Sequence, residues 1–211
     1  MTIDYKQPFN PSRDVSGMLE FLLWTTVTPG KKSETITPRF NALMEDQAKY
    51  DKSRHPAQSV IRSHGNRIRS LLKKHGIGQY NRLIQCWQTI EYGFVTEEHD
   101  DGTETELKIN SRKFFSTATR DHLTMIPGIG LKTASFFIQN TRSKWEDIAV
   151  LDVHILRYLK ERFPRYPVPD QTPQNREEYE TLELMFLGCA CKHDLPPREL
   201  DLFIWKQSTN N

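Results

Sequence analysis

The chain has no apolar run near the eighteen or so residues that a membrane-spanning helix needs, and its first twenty residues hold no basic stretch followed by an apolar one. Neither membrane association nor secretion is expected, which leaves the cytoplasm and nucleoid, or the nucleus in a eukaryotic host. Cysteine is scarce. Cys86, Cys189 and Cys191 are an odd set that cannot fully pair, and the one-residue gap between the last two suits neither a disulfide nor a tetrahedral zinc site. They read as reduced thiols, and "CACKH" with His193 lacks a fourth ligand, so no metal site is expected. Net charge is only +2, too mild to announce a nucleic-acid partner by itself. No repeat of solenoid period and no low-complexity linker divides the chain.

What is present is helical periodicity. The 211 residues are 36% hydrophobic and 27% charged, enough for one or two small domains with a real core. Apolar residues recur near i, i+3, i+4 and i+7 over 17–27, 38–50, 59–76, 80–93, 112–126, 132–141, 153–163, 176–190 and 197–207. Short Gly, Pro, Ser and Asn breaks separate these segments. Only 93–109 alternates, and Asp101-Gly102 can turn a small β-hairpin there or sit in an acidic loop. Pro167, Pro169 and Pro173 hold the 165–175 connection extended. The fold expected is all-α, with a small hairpin insert at 93–110.

Charge is clustered. Arg62, Arg67, Arg69, Lys73 and Lys74 crowd one helix, while acids gather at 96–106. Taken alone, such a helix is more often a solvated face than a phosphate-binding one. Pro127, Gly128, Ile129 and Gly130 stop one helix and start another, and such a turn aims unpaired backbone N–H groups outward at a helix N-terminus, which suits a phosphate oxygen. G-x-G alone is more often an ordinary helix–turn–helix corner whose glycines allow tight packing. Lys132 follows on an otherwise apolar helix start, and partial desolvation there would favour its free amine, a nucleophile. Twenty residues on, the apolar run 148–151 delivers Asp152 to an N-cap position. A capping carboxylate there can also steady a developing cation or accept a proton.

"IPGIGLKTA" and "VLDVHILR" together resemble the signature of the helix-hairpin-helix DNA glycosylase superfamily, and "RELDLFIW" resembles the C-terminal helix of the archaeal-type 8-oxoguanine DNA glycosylase/AP lyases. The resemblance implies a two-lobed helical fold. One lobe joins 1–28 with 142–211, the second spans 29–126, and the helix-hairpin-helix, 112–141, lies at the junction. It also implies Lys132 as nucleophile, Asp152 as its carboxylate partner, and excision of a damaged base, 8-oxoguanine foremost, through a Schiff base followed by β-elimination.

Thr133, His154, Lys31 and the arginines Arg62, Arg67 and Arg69 join the hairpin as DNA contacts by the same resemblance, with the Thr28–Lys32 loop entering the gap. Trp205, Phe136 and Trp24 are candidates to stack on the base, although aromatics at helical spacing are more often core. The partner implied is double-stranded DNA with a damaged base, bound by a monomer. No cofactor is required, and a monovalent cation on the hairpin carbonyls stays open. The endonuclease III branch carries four clustered cysteines for an iron–sulfur cluster, which this chain cannot build. A DNA-binding module without chemistry and an enzyme for modified bases of viral DNA remain the alternatives.

Overall fold

The computed structural model describes residues 3–92, 114–115 and 117–209. The 93–110 insert, with its expected hairpin, lies outside the described residues. The chain divides into two compact units, Met1–Ile129 and Gly130–Asn211. Among the described residues there is no strand, and no helix is long and apolar enough to cross a membrane.

The first unit contains α1 (Val15–Val27), α2 (Ser33–Tyr50), α3 (Pro56–Ile61), α4 (Gly65–Lys74), α5 (Tyr80–Ile90) and the short α6 (Arg120–Thr124). Asp14 starts α1 by accepting the Gly17 N–H at 2.7 Å. Every residue from Gly17 to Val27 is buried, so α1 is covered on all sides and forms the centre of its unit. It packs against α2, α3 and α5.

The two tryptophans of this core keep their polar tips bonded. Trp24 donates its indole N–H to Thr37 Oγ1 at 3.1 Å, and Trp87 donates to Thr26 Oγ1 at 2.9 Å. Trp24, expected as a stacking surface, is therefore a core residue, only 2% exposed. The helix expected over 59–76 is two helices. Ser63 and Gly65 are weak helix formers, and the break at Arg62–His64 lets Val60 and Ile61 on one helix and Ile68 and Leu72 on the next all be buried. α2 begins a turn earlier than the sequence suggests and runs on through Pro38, anchored by buried Ile36 and Thr37.

The second unit contains α7 (Leu131–Thr141), α8 (Val153–Arg162), α9 (Arg176–Lys192) and α10 (Pro197–Thr209), with α8, α9 and α10 packed on one another. Leu151, Ile155, Leu159, Tyr179, Phe186 and Leu200 are part of its core. The apolar run before α8 is not a strand, and several of its backbone groups are satisfied by side chains. Ala149 N–H donates to Glu183 Oε1 at 2.7 Å, Leu151 N–H donates to the Tyr179 hydroxyl at 3.3 Å, and that hydroxyl donates to the Ala149 carbonyl at 2.9 Å. Thr172 Oγ1 donates to the Leu151 carbonyl at 2.6 Å. This scaffold fixes where Asp152 enters α8.

Candidate active site

The hairpin begins with a turn whose geometry follows from its residues. Ile129 N–H donates to the Ile126 carbonyl at 3.0 Å, Pro127 fills the second position, and Gly128 adopts φ +87° in the third. That is a type II turn, which favours glycine at the third position because side chains rarely tolerate positive φ. A second turn of the same kind closes α1: Lys31 N–H donates to the Thr28 carbonyl at 2.9 Å across Pro29 and Gly30, the latter at φ +70°. Lys31 is exposed there.

Ile129, expected among the DNA contacts, is 4% exposed, so its side chain anchors the turn and only its backbone can face a ligand. Gly130 caps α7 with no side-chain hydrogen bond and with open space around it, which leaves first-turn N–H groups for an anion; Thr133 is half-buried in that turn.

The basic helix is more engaged with the protein than the sequence suggested. Arg67 stacks on the Tyr50 ring at 3.9 Å, and Arg69 donates to Asn81 Oδ1 at 2.5 Å. Lys74 pairs with Asp46, whose carboxyl is held below the ordinary aspartate range first by that hydrogen bond and also by His75 at 3.1 Å. Arg62 is half-buried.

In the second unit Lys132 is exposed. The desolvation expected from its apolar neighbours is absent because Ala134, Ser135, Phe137 and Ile138 face the core while Lys132 leaves the first turn on the other side. Phe136 is likewise only half-buried. Asp152 is the N-cap of α8, and both capping bonds fall on Oδ1, from His154 N–H at 2.9 Å and Ile155 N–H at 3.0 Å. His154 is half-buried, and its Nδ1 is buried with no hydrogen-bond partner. Trp205 is 39% exposed on α10.

A residue that sequence reasoning missed joins them. Burial pushes the Asp201 carboxyl up to about 7, and the neighbouring Asp152 adds to the rise, while Gln139, Arg198 and Lys132 oppose it. Asp201 thus feels both Asp152 and Lys132, which places an amine and a second carboxyl in its neighbourhood. Gln139 is 4% exposed and faces that carboxyl, yet its Nε2 does not reach hydrogen-bond geometry with any partner. The signal for Asp201 in the sequence was slight: it sits between the core residues Leu200 and Ile204 and reads as an ordinary polar residue of an amphipathic helix.

Arg82 was missed as well. On α5 it donates from Nη1 to the Gly128 carbonyl at 3.0 Å and from Nη2 to the Thr26 carbonyl at 2.5 Å. Burial raises the Cys86 thiol to about 12, and all three cysteines are free. Among the described residues no group of three or more His, Cys, Asp or Glu is placed to hold a metal ion.

Comparison with known proteins agrees with this architecture. Crystal structures of the Methanocaldococcus jannaschii 8-oxoguanine DNA glycosylase superpose with TM-score 0.66 at 19% identity, covering 99% of this chain and 85% of that one. For the same organism's 8-oxoguanine glycosylase/lyase in complex with a 15-mer DNA containing 8-oxoguanine, the values are 0.67 and 20%, covering 98% and 88%. Such identities establish a shared fold.

Among sequence relatives, the 8-oxoguanine DNA glycosylase/AP lyase of Metallosphaera sedula is 36% identical over 90 residues, 43% of this chain and 41% of that relative. The protein of the same description from Picrophilus torridus is 26% identical over 147 residues, 58% of this chain and 68% of that relative. The alignment thus spans less than half the length of the Metallosphaera relative. The sequence profile described as 8-oxoguanine DNA glycosylase matches residues 58–194, well over half of the chain and inclusive of the hairpin, Lys132 and Asp152. The chain belongs to the 8-oxoguanine DNA glycosylase family.

Proposed function

We propose that this protein excises a damaged base, 8-oxoguanine foremost, from double-stranded DNA and then nicks the strand, as a DNA glycosylase with associated AP lyase activity. The observation that carries this reading is the neighbourhood of one exposed lysine amine and two carboxyls, Lys132, Asp152 and Asp201, in the unit that opens on the hairpin.

A base in a duplex shields its glycosidic bond, so the nucleotide must first be flipped out, at a cost of a few kcal/mol that damage lowers. The hairpin N–H groups, with Arg62, Arg67, Arg69, Lys31, Thr133 and His154, would hold the distorted backbone, and Trp205 and Phe136 would flank the extruded base. Lys132 loses its proton, with Asp152 as acceptor, and its nitrogen forms a bond to the sugar C1′ as the C1′–N bond to the base breaks. The base leaves with that bonding pair and takes up the proton held by Asp152, which returns Asp152 to its carboxylate form to stabilise the positive charge on the sugar. Opening of the sugar ring gives the lysine Schiff base, loss of a C2′ proton follows, and the 3′ phosphate departs to leave the nick.

The exposure of Lys132 is compatible with this scheme, since a bound nucleotide would displace water from around the amine. The chemistry draws on side chains alone. A monovalent cation at the hairpin would compete for carbonyls, one of which, that of Gly128, already accepts from Arg82. The protein would act as a monomer wherever its DNA resides.

Borohydride trapping tests the reading. Wild type should form a covalent adduct with 8-oxoguanine duplex, and Lys132→Gln none. Duplex binding without an adduct on any damaged or abasic DNA would overturn the enzymatic reading and leave a DNA-binding module.

A further inference from the structure

We propose that Arg82 is a positioning residue that locks the hairpin turn to the end of α1, holding both Pro-Gly turns of the first unit at one spacing for a DNA backbone. The inference rests on the DNA-directed reading above, but its argument is geometric. Arg82 spends its planar fork on the protein. Nε donates to Gln79 Oε1 at 2.7 Å, Nη1 to the Gly128 carbonyl at 3.0 Å and Nη2 to the Thr26 carbonyl at 2.5 Å.

Gly128 lies in the turn closed by Ile129, and Thr26 lies two residues before the turn closed by Lys31. One side chain therefore fixes two segments about a hundred residues apart in sequence. The helix that carries it is itself tied to the same place, because Trp87 donates to Thr26 Oγ1 at 2.9 Å. Gln79 reaches the guanidinium from a left-handed backbone conformation, φ +63°, which begins α5.

Contact is close on the glycine side. A Cβ on Gly128 would lie 3.0 Å from Arg82 Cγ, so the arginine stem would have to give way for any larger residue, which the positive φ of +87° would also strain. A lysine cannot replace the fork, since its single ammonium cannot repeat three donors in fixed directions. With these donors turned inward, Arg82 is not itself a phosphate contact, and this separates it from the other basic residues near the hairpin.

The test is duplex binding, measured as Kd against salt on DNA carrying an abasic analogue, together with the single-turnover excision rate at saturating enzyme. Arg82→Gln should raise Kd about tenfold, the weight of one charge-assisted hydrogen bond. The saturating rate should fall by less than about twofold, because Lys132 and Asp152 belong to the other unit. The salt slope should stay as in wild type, and Arg82→Lys should restore only part of the affinity.

Gly128→Ala is the second variant. It should weaken binding similarly in the wild-type background and less when Arg82 is already Ala, because the clash with Cγ is then gone. A slope reduced by about 0.9 would overturn the proposal by making Arg82 a direct phosphate contact. An unchanged Kd, equal losses in Kd and saturating rate, or additive effects of the two substitutions would also overturn it. Failure of the wild type to bind any duplex would instead sink the DNA-directed reading itself.

Discussion

In the first unit, an arginine beside the hairpin ends on backbone carbonyls; in the second, a buried carboxyl feels a lysine and a second carboxyl. Arg82 satisfies the Gly128 and Thr26 carbonyls and so sets a main-chain shape. Asp201 keeps its proton through burial, with Asp152 adding to that effect and Lys132 opposing it. Each unit also buries a carboxyl among charges: Glu20 on α1 is 2% exposed with neither oxygen hydrogen-bonded and feels Arg13 and Asp14, while Asp201 feels Lys132, Arg198 and Asp152. The lesson is that a shape-setting site tolerates loss of charge but not of geometry, and a charge-setting site the reverse.

The largest expected effect tests what kind of aromatic each unit offers. Trp24→Ala should cost about 3–5 kcal/mol of stability, because it opens a cavity in the centre of the first unit and strands the Thr37 hydroxyl. Trp205→Ala, at an exposed site, should cost below about 1 kcal/mol and act on excision instead. Urea unfolding of both variants checks this, and equal losses would erase the contrast.

Next in size is Asp152→Asn, which keeps a side chain able to cap α8 but removes its charge. Excision should slow about a hundredfold in single turnover with duplex affinity retained. Excision at the wild-type rate would reduce Asp152 to a helix cap.

The third prediction concerns pH. Burial raises both Glu20 and Asp201 from ordinary carboxyl values to about 7. Each ionises near 4 in the unfolded chain, so between roughly pH 4 and 7 the folded state holds more protons and stability falls as pH rises through that window. Thermal midpoints should therefore be lower at pH 8 than at pH 5.5, and both Glu20→Gln and Asp201→Asn should flatten that slope. Only Asp201→Asn should also move the pH profile of excision, since only Asp201 lies beside Lys132 and Asp152. A matching shift in Glu20→Gln would break the distinction between the units.

The smallest effect is that of Arg69→Gln. It should weaken duplex binding slightly and lower the salt slope by about 0.9 if the guanidinium leaves Asn81 for a phosphate. A slope identical to wild type would assign Arg69 to the protein surface alone.

Helix content, the two glycine turns and the Asp152 cap were legible because each is written locally, in periodicity, in Pro-Gly pairs and in a polar residue before an apolar helix. The break at Arg62–His64 was harder to see, since 59–76 keeps helical spacing across it and only the burial of Ile61 and Ile68 on separate helices requires it. The surroundings of Lys132 were misjudged: the buried residues that follow it lie on another face of α7, and Lys132 is exposed. Asp201 and Arg82 were invisible, because a lone aspartate or arginine on an amphipathic helix is the commonest of surface residues.

The sequence by itself determined the elements and the residues able to carry chemistry, since torsional preference and hydrophobic spacing act between near neighbours. Tertiary structure alone decided that Trp24 is core, that Asp201 lies beside Asp152, and that one arginine fork joins Thr26 to Gly128. Burial and electrostatic coupling depend on distance in space, and packing brings together residues that the chain keeps far apart.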